Sequence, residues 1–400
     1  MKILWICPSF LHPTDGGSKI RTLGTLKELH KRHEIHFAAL NDPRNPEGPQ
    51  RSSEYSSRHL CVEHSPPARR SIGIFPQLAE SILNPMPMAV FRYSSRKLRE
   101  QVAALIAVEH YDCIVCDFLF SAPNLEDLGQ CVLFQHNVET TIWQRHFEQS
   151  HSLLKRLFFW MQAGKMEAYE RKICRKAKHV IAVSDIDASR MSSMFGIESV
   201  TAVRTGTDVE YFAPRGPAPP ISDIVFCGGM NWLPNMDAVL YFLSEVFPLI
   251  RDRLPGATFT IAGRSPDAEV LKAAKGIAGV SVTGTVEDVR PYLWGSKISI
   301  VPFRIGGGTR LKIYECMAAG VPVVSTTVGA EGLRYRDGED LILADDPSSF
   351  AAACIRLLTE DAVRHTIARN ALERAQRECS WEAVTHEFEA ILEKNRTLSN

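Results

Sequence analysis

The chain has 400 residues, 45% of them hydrophobic and 23% charged, with 46 Lys plus Arg balancing 46 Asp plus Glu. That length suits two ordinary cores better than one, and the balanced charge gives no general argument for a nucleic-acid partner. The ten cysteines are scattered through apolar stretches such as "LWICP", "CIVCD" and "VFCGG", a pattern of reduced, buried thiols in a cytoplasmic protein rather than a disulfide framework.

In chain order, short apolar runs alternate with longer helical patterns, which predicts a parallel α/β architecture. The expected strands of the first half are "KILWIC" (2–7), "EIHFAAL" (34–40), "DCIVCDF" (112–118), "CVLFQ" (131–135), "HVIAVS" (179–184) and "SVTAV" (199–203). A poorly patterned insert occupies residues 41–92. The opening "MKILWICP" is too short for a signal segment, and no apolar run approaches about 18 residues, so a cytoplasmic location is expected. Cys113 and Cys116 form a C-x-x-C inside a strand, where that spacing sends them to opposite faces and argues against a metal or redox pair. The Pro-rich stretch "YFAPRGPAPPISD" (211–223) reads as a linker. Beyond it come "DIVFCGG" (223–229), "ATFTIAG" (257–263), "GVSVTG" (279–284), "KISIVPF" (297–303) and "VPVVST" (321–326), with helical sequence from about residue 348. Each half opens with an apolar strand followed by a glycine pair, Gly16–Gly17 and Gly228–Gly229. The expectation is two doubly wound domains, 1–210 and 223–380, joined by 211–222, facing each other across a cleft at their C-terminal strand ends.

The stretch "VPFRIGGGTRLKIYECMAAGVPVVST" (301–326) carries the strongest chemical signal. Gly306, Gly307 and Gly308 precede an expected helix with Thr309 as N-cap. Free amides and the positive end of the helix dipole there favour an anion, and glycines let main chain approach it. Arg310 and Lys312 oppose that dipole, so they need another reason, and a bound diphosphate supplies one. Lys312, Glu315 and Ala319 share a face, which places Glu315 a turn deeper, in reach of ribose hydroxyls. Neither a Walker loop nor G-x-G-x-x-G occurs.

With these residues the sequence resembles the nucleotide-sugar glycosyltransferases of the GT-B fold, the retaining "group 1" transferases, over nearly its whole length. The carriers are "TDGGSKIRT" (14–22), "FQHNVET" (134–140), "IAVSDIDASRM" (181–191), "RTGTDVEYF" (204–212), "FCGGMNWLPNMDAV" (226–239), "IAGRSP" (261–266) and "GGGTRLKIYECMAAGVPVVST…GAEGL" (306–333). The resemblance implies two facing Rossmann-like domains, the second holding the donor and the first completed by a returning C-terminal helix, 381–400. It implies that Glu315 binds the donor ribose, that Arg310 and Lys312 face the diphosphate, and that Gly263 and Arg264 lie near the nucleotide with Gly228 and Gly229. Gly16 and Gly17 would line the cleft at the reacting sugar, and His136 would contact the sugar near its anomeric centre. Two departures stand out: Gly307 occupies the position of a glutamate frequent in the family, and "GGMNWLPNMDA" lacks the basic residues many relatives place there.

No metal or cofactor is expected beyond the nucleoside-diphosphate sugar itself. Asp185 and Asp187, the only Asp-x-Asp, sit where helix capping explains them. His30, His33 and His36 are expected to be solvated. The basic segment 153–179, with Leu, Phe, Trp and Met, is expected to pack on its domain with a solvated basic face. The other reading places it on an anionic membrane bearing a lipid-linked acceptor. The functional expectation is sugar transfer to a saccharide or lipid-linked acceptor, by a front-face mechanism in which the leaving phosphate helps deprotonate the acceptor. A sugar-nucleotide 2-epimerase of the same fold and a non-catalytic nucleotide-sugar-binding subunit are the alternatives.

Overall fold

The computed structural model describes residues 1–14, 16–65, 84–148, 150, 152–230, 232–305 and 311–396. The chain divides into two units, Met1–Arg204 with Val384–Asn400, and Thr205–Ala383.

The first unit is built on seven parallel strands: β1 (Lys2–Cys7), β2 (Glu34–Asn41), β3 (Arg58–Glu63), β4 (Cys113–Asp117), β5 (Cys131–Phe134), β6 (His179–Ala182) and β7 (Val200–Ala202). Their order is β3-β2-β1-β4-β5-β6-β7. A parallel sheet is covered on both faces, which is why its central strands read as unbroken apolar runs. Side chains alternate accordingly. Ile3, Trp5, Phe37, Val115 and Phe134 pack on one side with Leu26, Leu29, Val384, Phe388 and Leu392. Leu4, Ile6, Cys116, Leu133 and Val180 pack on the other with Leu98, Val102, Met166 and Met191. Helix Trp381–Lys394 thus returns the chain to this unit: Phe388 stacks on Trp5 with centroids 5.6 Å apart and meets Phe134 edge-on at 5.0 Å. Cys113 and Cys116 fall on opposite sides, each outside any disulfide.

The second unit has six parallel strands: β8 (Ser222–Cys227), β9 (Phe259–Ala262), β10 (Val280–Gly284), β11 (Ser296–Val301), β12 (Val323–Ser325) and β13 (Ile342–Leu343). Their order is β10-β9-β8-β11-β12-β13. The helical stretch Leu233–Arg253 is long and apolar enough to cross a membrane by length and composition. Here it is a core helix, with Val239, Phe242, Val246, Phe247 and Ile250 all in the unit's interior. It passes through a π-turn, Phe242–Val246, just ahead of Pro248, whose missing N–H breaks the regular ladder.

Three expectations are corrected. The insert 41–92 contributes a strand, β3, at the edge of the first sheet. The first unit ends at Arg204 rather than at 210, because "TGTDVEYF" packs into the second: Phe212 is in its core, and Thr207 pairs with Ser380. The histidines expected in solvent are not: His36 is buried with Nε2 2.8 Å from Glu34, His33 is half-buried with Nε2 2.6 Å from Glu389, and His30 is half-buried.

Candidate active site

In the second unit the loops after β8 and β9 meet. Gly228 N–H donates to the Ala262 carbonyl and Met230 N–H to that of Arg264, both at 2.9 Å. Gly263 takes φ +158°, and a Cβ there would lie 1.9 Å from the Gly228 oxygen. Only glycine permits that approach.

Helix Leu311–Ala318 carries Lys312 into this corner. Its Nζ donates to Asn235 Oδ1 at 2.8 Å, and Asn235 Nδ2 donates to the Gly229 carbonyl at 2.8 Å. The ammonium also lies 4.3 Å from the ring centre of Phe226 and 4.7 Å from that of Phe303, a cation–π arrangement that fixes a flexible side chain. A Cβ on Gly228 would be 2.9 Å from both Lys312 Nζ and Asn235 Nδ2, so glycine there clears a path between the cation and the main chain. Glu315 follows one turn later, half-buried. Burial raises its carboxyl above the usual carboxylate range while Lys312 pulls it back, and it makes no hydrogen bond among the described residues. The helix ends at Gly320 with φ +67°, and the Gly320 and Val321 amides cap carbonyls of Met317 and Cys316. Arg264 is exposed on its loop. Gly306, Gly307, Gly308, Thr309 and Arg310 lie outside the described residues.

In the first unit a second constellation forms at the ends of β1, β4 and β5. Asp117, at 1% exposure, accepts from Trp5 Nε1 (2.8 Å), Thr22 Oγ1 (2.7 Å) and His136 Nε2 (2.6 Å). Arg21 donates to His136 Nδ1 at 3.0 Å. A guanidinium can only donate, so Nδ1 must accept and Nε2 carries the proton. His136 is therefore a neutral imidazole with both nitrogens committed. Burial first, and Arg21 after it, lower its pKa against the pull of Asp117. Arg21 is itself buried, which brings it down to about 10. Arg21 and Thr22 lie on helix Gly17–His30, whose N-terminus holds Gly16 and Gly17. Space around both glycines is open, with nothing within 4 Å of an added Cβ.

The segment bearing His136 is fastened from behind. Glu170 accepts from Gln135 Nε2 (3.0 Å), the Glu139 and Thr140 amides (3.1 and 2.8 Å) and Thr140 Oγ1 (2.6 Å). Burial pushes Glu170 up to about 7 against these hydrogen bonds. Glu139 reaches about 7 through burial and the Glu170 charge. Asp187, by contrast, belongs to a helix cap: its amide donates to Ser184 Oγ and its carboxylate accepts from the same hydroxyl.

Sequence reasoning singled out Lys312, Glu315, Gly228 and Gly263, which the fold brings to one corner. It did not assign Asn235, Asp117, Arg21, Thr22 or Trp5. Asp117 did leave a signal, a carboxylate closing an apolar strand at the end where ligands gather.

The family model for glycosyl transferases group 1 matches residues 221–360, and that for glycosyltransferase family 4 matches 15–211. The chain belongs to the group 1 glycosyltransferases and has their GT-B fold. It is 23% identical over 310 residues to an uncharacterized 44.6 kDa protein in the cps region of Klebsiella pneumoniae, covering 75% of this chain and 78% of that one. It is 27% identical over 255 residues to the phosphatidyl-myo-inositol mannosyltransferase of Mycolicibacterium smegmatis, covering 60% and 63%. In fold it matches HepE of Anabaena in complex with UDP and glucose, with a TM-score of 0.65, 15% identity and 98% and 99% of the two chains covered.

Proposed function

We propose that the protein transfers a hexosyl group from a nucleoside-diphosphate sugar to a saccharide or lipid-linked acceptor, with retention at the anomeric carbon and without a metal ion. The product would enter a polysaccharide or glycolipid, and the reaction would run in the cytoplasm, where buried thiols such as Cys7, Cys116 and Cys354 stay reduced. The carrying observation is the Lys312 ammonium, steadied by two rings and Asn235 beside the bare main chain of Gly228. Such a fixed cation stabilises a departing diphosphate without reorganising as charge develops. Arg310 and the amides of Gly306–Thr309 would supply the rest of that stabilisation. Glu315, with its carboxylate lacking a partner among the described residues, would take the ribose hydroxyls. Gly263, Arg264 and Gly229 would border the base. Gly16 and Gly17 would leave room for the sugar, with His136 beside it. Because both His136 nitrogens are committed, His136 would not take the acceptor proton, which would pass to the leaving phosphate. HepE, crystallised with UDP and glucose, and the phosphatidyl-myo-inositol mannosyltransferase support the donor and acceptor classes.

The test incubates the purified chain with UDP-, GDP- and ADP-sugars and saccharide acceptors in EDTA and follows the anomeric protons by NMR. Transfer with the donor's anomeric configuration is expected. An inverted product, a requirement for divalent metal, or donor converted without any acceptor would refute the reading.

A further inference from the structure

The proposed reaction leaves one buried carboxylate unused. Glu170 lies in the second half of helix Leu153–Lys176, where Gln162, Ala163, Met166, Ile173 and Cys174 are buried with it. The sequence expectation that this segment packs on its domain therefore holds from Gln162 onward and fails before it, where Leu153 and Leu154 are 83% exposed. Glu170 itself is 0% exposed, and each of its hydrogen-bond partners is neutral. Taking a charge out of water without a counter-ion is costly, and an apolar side chain of similar volume is often at least as stable in such a place. The acid needs another reason.

That reason lies in what its two oxygens hold. Oε1 accepts from Gln135 Nε2 and the Glu139 amide, Oε2 from the Thr140 amide and Thr140 Oγ1. Only an ionised carboxylate offers two acceptor sites on each oxygen to such a set of donors. The donors stand on both sides of His136, Gln135 before it and Glu139 and Thr140 after. Gln135, also 0% exposed, carries the grip further. Its Oε1 accepts from the Leu119 amide at 2.9 Å, and Leu119 is two residues beyond Asp117, which holds His136 Nε2 at 2.6 Å. One carboxylate thus braces both ends of the hydrogen bond that sets the His136 tautomer. Glu139 is pushed toward its neutral form by burial and then by the Glu170 charge, which keeps a second full charge out of the same cavity. We propose that Glu170 is a positioning residue for sugar transfer: it fixes the His136 ring and, through Gln135, the loop of Asp117, so that the imidazole meets the donor sugar in one orientation. The inference rests on the reading that His136 lies beside that sugar.

The test uses Glu170→Gln, which keeps the volume but turns an amide NH2 toward the donors, and Gln135→Leu, which leaves Glu170 in place and cuts its link to the Leu119 loop. In the full chain carrying isotope-labelled histidine, the His136 ring signals, assigned by their loss in His136→Asn, report the tautomer by NMR. Wild type is expected to show a neutral ring protonated at Nε2, Glu170→Gln to displace or broaden those signals, and Gln135→Leu to do so to a smaller extent. With UDP-, GDP- and ADP-glucose as donors, Glu170→Gln should lower kcat by roughly 10- to 100-fold, the scale of a misplacement of about 1 Å. Affinity for UDP, GDP and ADP should stay as in wild type. Glu139→Gln, which keeps a neutral side chain beside Glu170, should retain the wild-type ring signals and kcat. Should Glu170→Gln fail to fold by its melting curve, Gln135→Leu decides by the same two readouts. Unchanged ring signals in the folded variants would overturn the proposal, and a lower kcat beside them would mark a structural role only. Displaced signals with an unaltered kcat would overturn it too, since the ring's orientation would then have no bearing on the reaction. A wild type that turns over none of these donors would count against the transfer reading alone, and the ring signals would still decide the positioning.

Discussion

Replacing Lys312 with Ala tests the proposed donor site most directly. The ammonium has three N–H donors, and Asn235 takes one of them at 2.8 Å. The Phe226 and Phe303 rings hold the side chain by the cation's attraction to their faces rather than by consuming a conventional acceptor. A lysine normally gives up about 1.5–2 kcal/mol of rotamer freedom when it is fixed. Here much of that cost is met during folding, so the contact to a diphosphate should express most of its worth. Hydrogen bonds to charged groups contribute about 1.5–3 kcal/mol, which corresponds to a roughly 10- to 150-fold rise in the dissociation constant. Isothermal titration of Lys312→Ala with UDP, GDP and ADP should show that loss for whichever nucleotide the wild type prefers. Lys297→Ala serves as the control: it removes the same charge from the opposite end of β11, where Lys297 pairs with Asp223. Unchanged nucleotide affinity in a folded Lys312→Ala protein would refute the assignment. An equal loss in Lys297→Ala would reduce the effect to overall charge.

Phe388→Ala removes a ring that is 1% exposed and wedged between Trp5 and Phe134; it should cost the first unit about 3–5 kcal/mol in urea unfolding, the range for buried aromatics. A loss below about 1 kcal/mol, the scale of an ordinary substitution, would mean that the returning helix is not packed as described. Glu139 holds its proton up to about pH 7 in the folded chain, whereas an unperturbed glutamate releases it near 4.3. Folding therefore takes up a proton at Glu139 between those values, and stability should fall as pH rises through the window, by roughly 4 kcal/mol from this group at about 1.4 kcal/mol per unit, with Glu170, also raised to about 7, adding to the fall. Glu139→Gln should reduce that slope in denaturant titrations at several pH values, leaving the share carried by Glu170. A wild-type stability that climbs from pH 5 to 7, or a slope unaffected by the substitution, would contradict the account.

The sheets were legible because their central strands are buried on both faces and therefore spelled as apolar runs. β3 escaped for the complementary reason. It is an edge strand in which Arg58, His59, Cys61 and Glu63 are exposed and only Val62 is buried, so neither a continuous run nor a clean alternation marks it. At the corner formed by the loops after β8 and β9, helical spacing was enough to place Lys312 and Glu315 together. Asn235 was invisible because an asparagine near a helix start has a ready local explanation. The cluster around His136 draws on Trp5, Arg21, Thr22 and Asp117, which come from two strands and a helix separated by up to about a hundred residues. No local pattern encodes such a meeting; only the order β1-β4-β5 does.

The placement of residues 384–394 in the first unit has a consequence for synthesis. While a ribosome is still making Thr205–Ala383, Trp5 and Phe134 lack the ring that covers them, and the earlier residues can reach only an incomplete fold. The intervening unit, contiguous in sequence, can collapse on its own as it emerges. Maturation would then run in reverse of chain order, the second half settling first and the opening half waiting for its lid of Val384, Phe388 and Leu392. Nascent chains halted before that point would offer a greasy, chaperone-binding surface on an otherwise finished sheet.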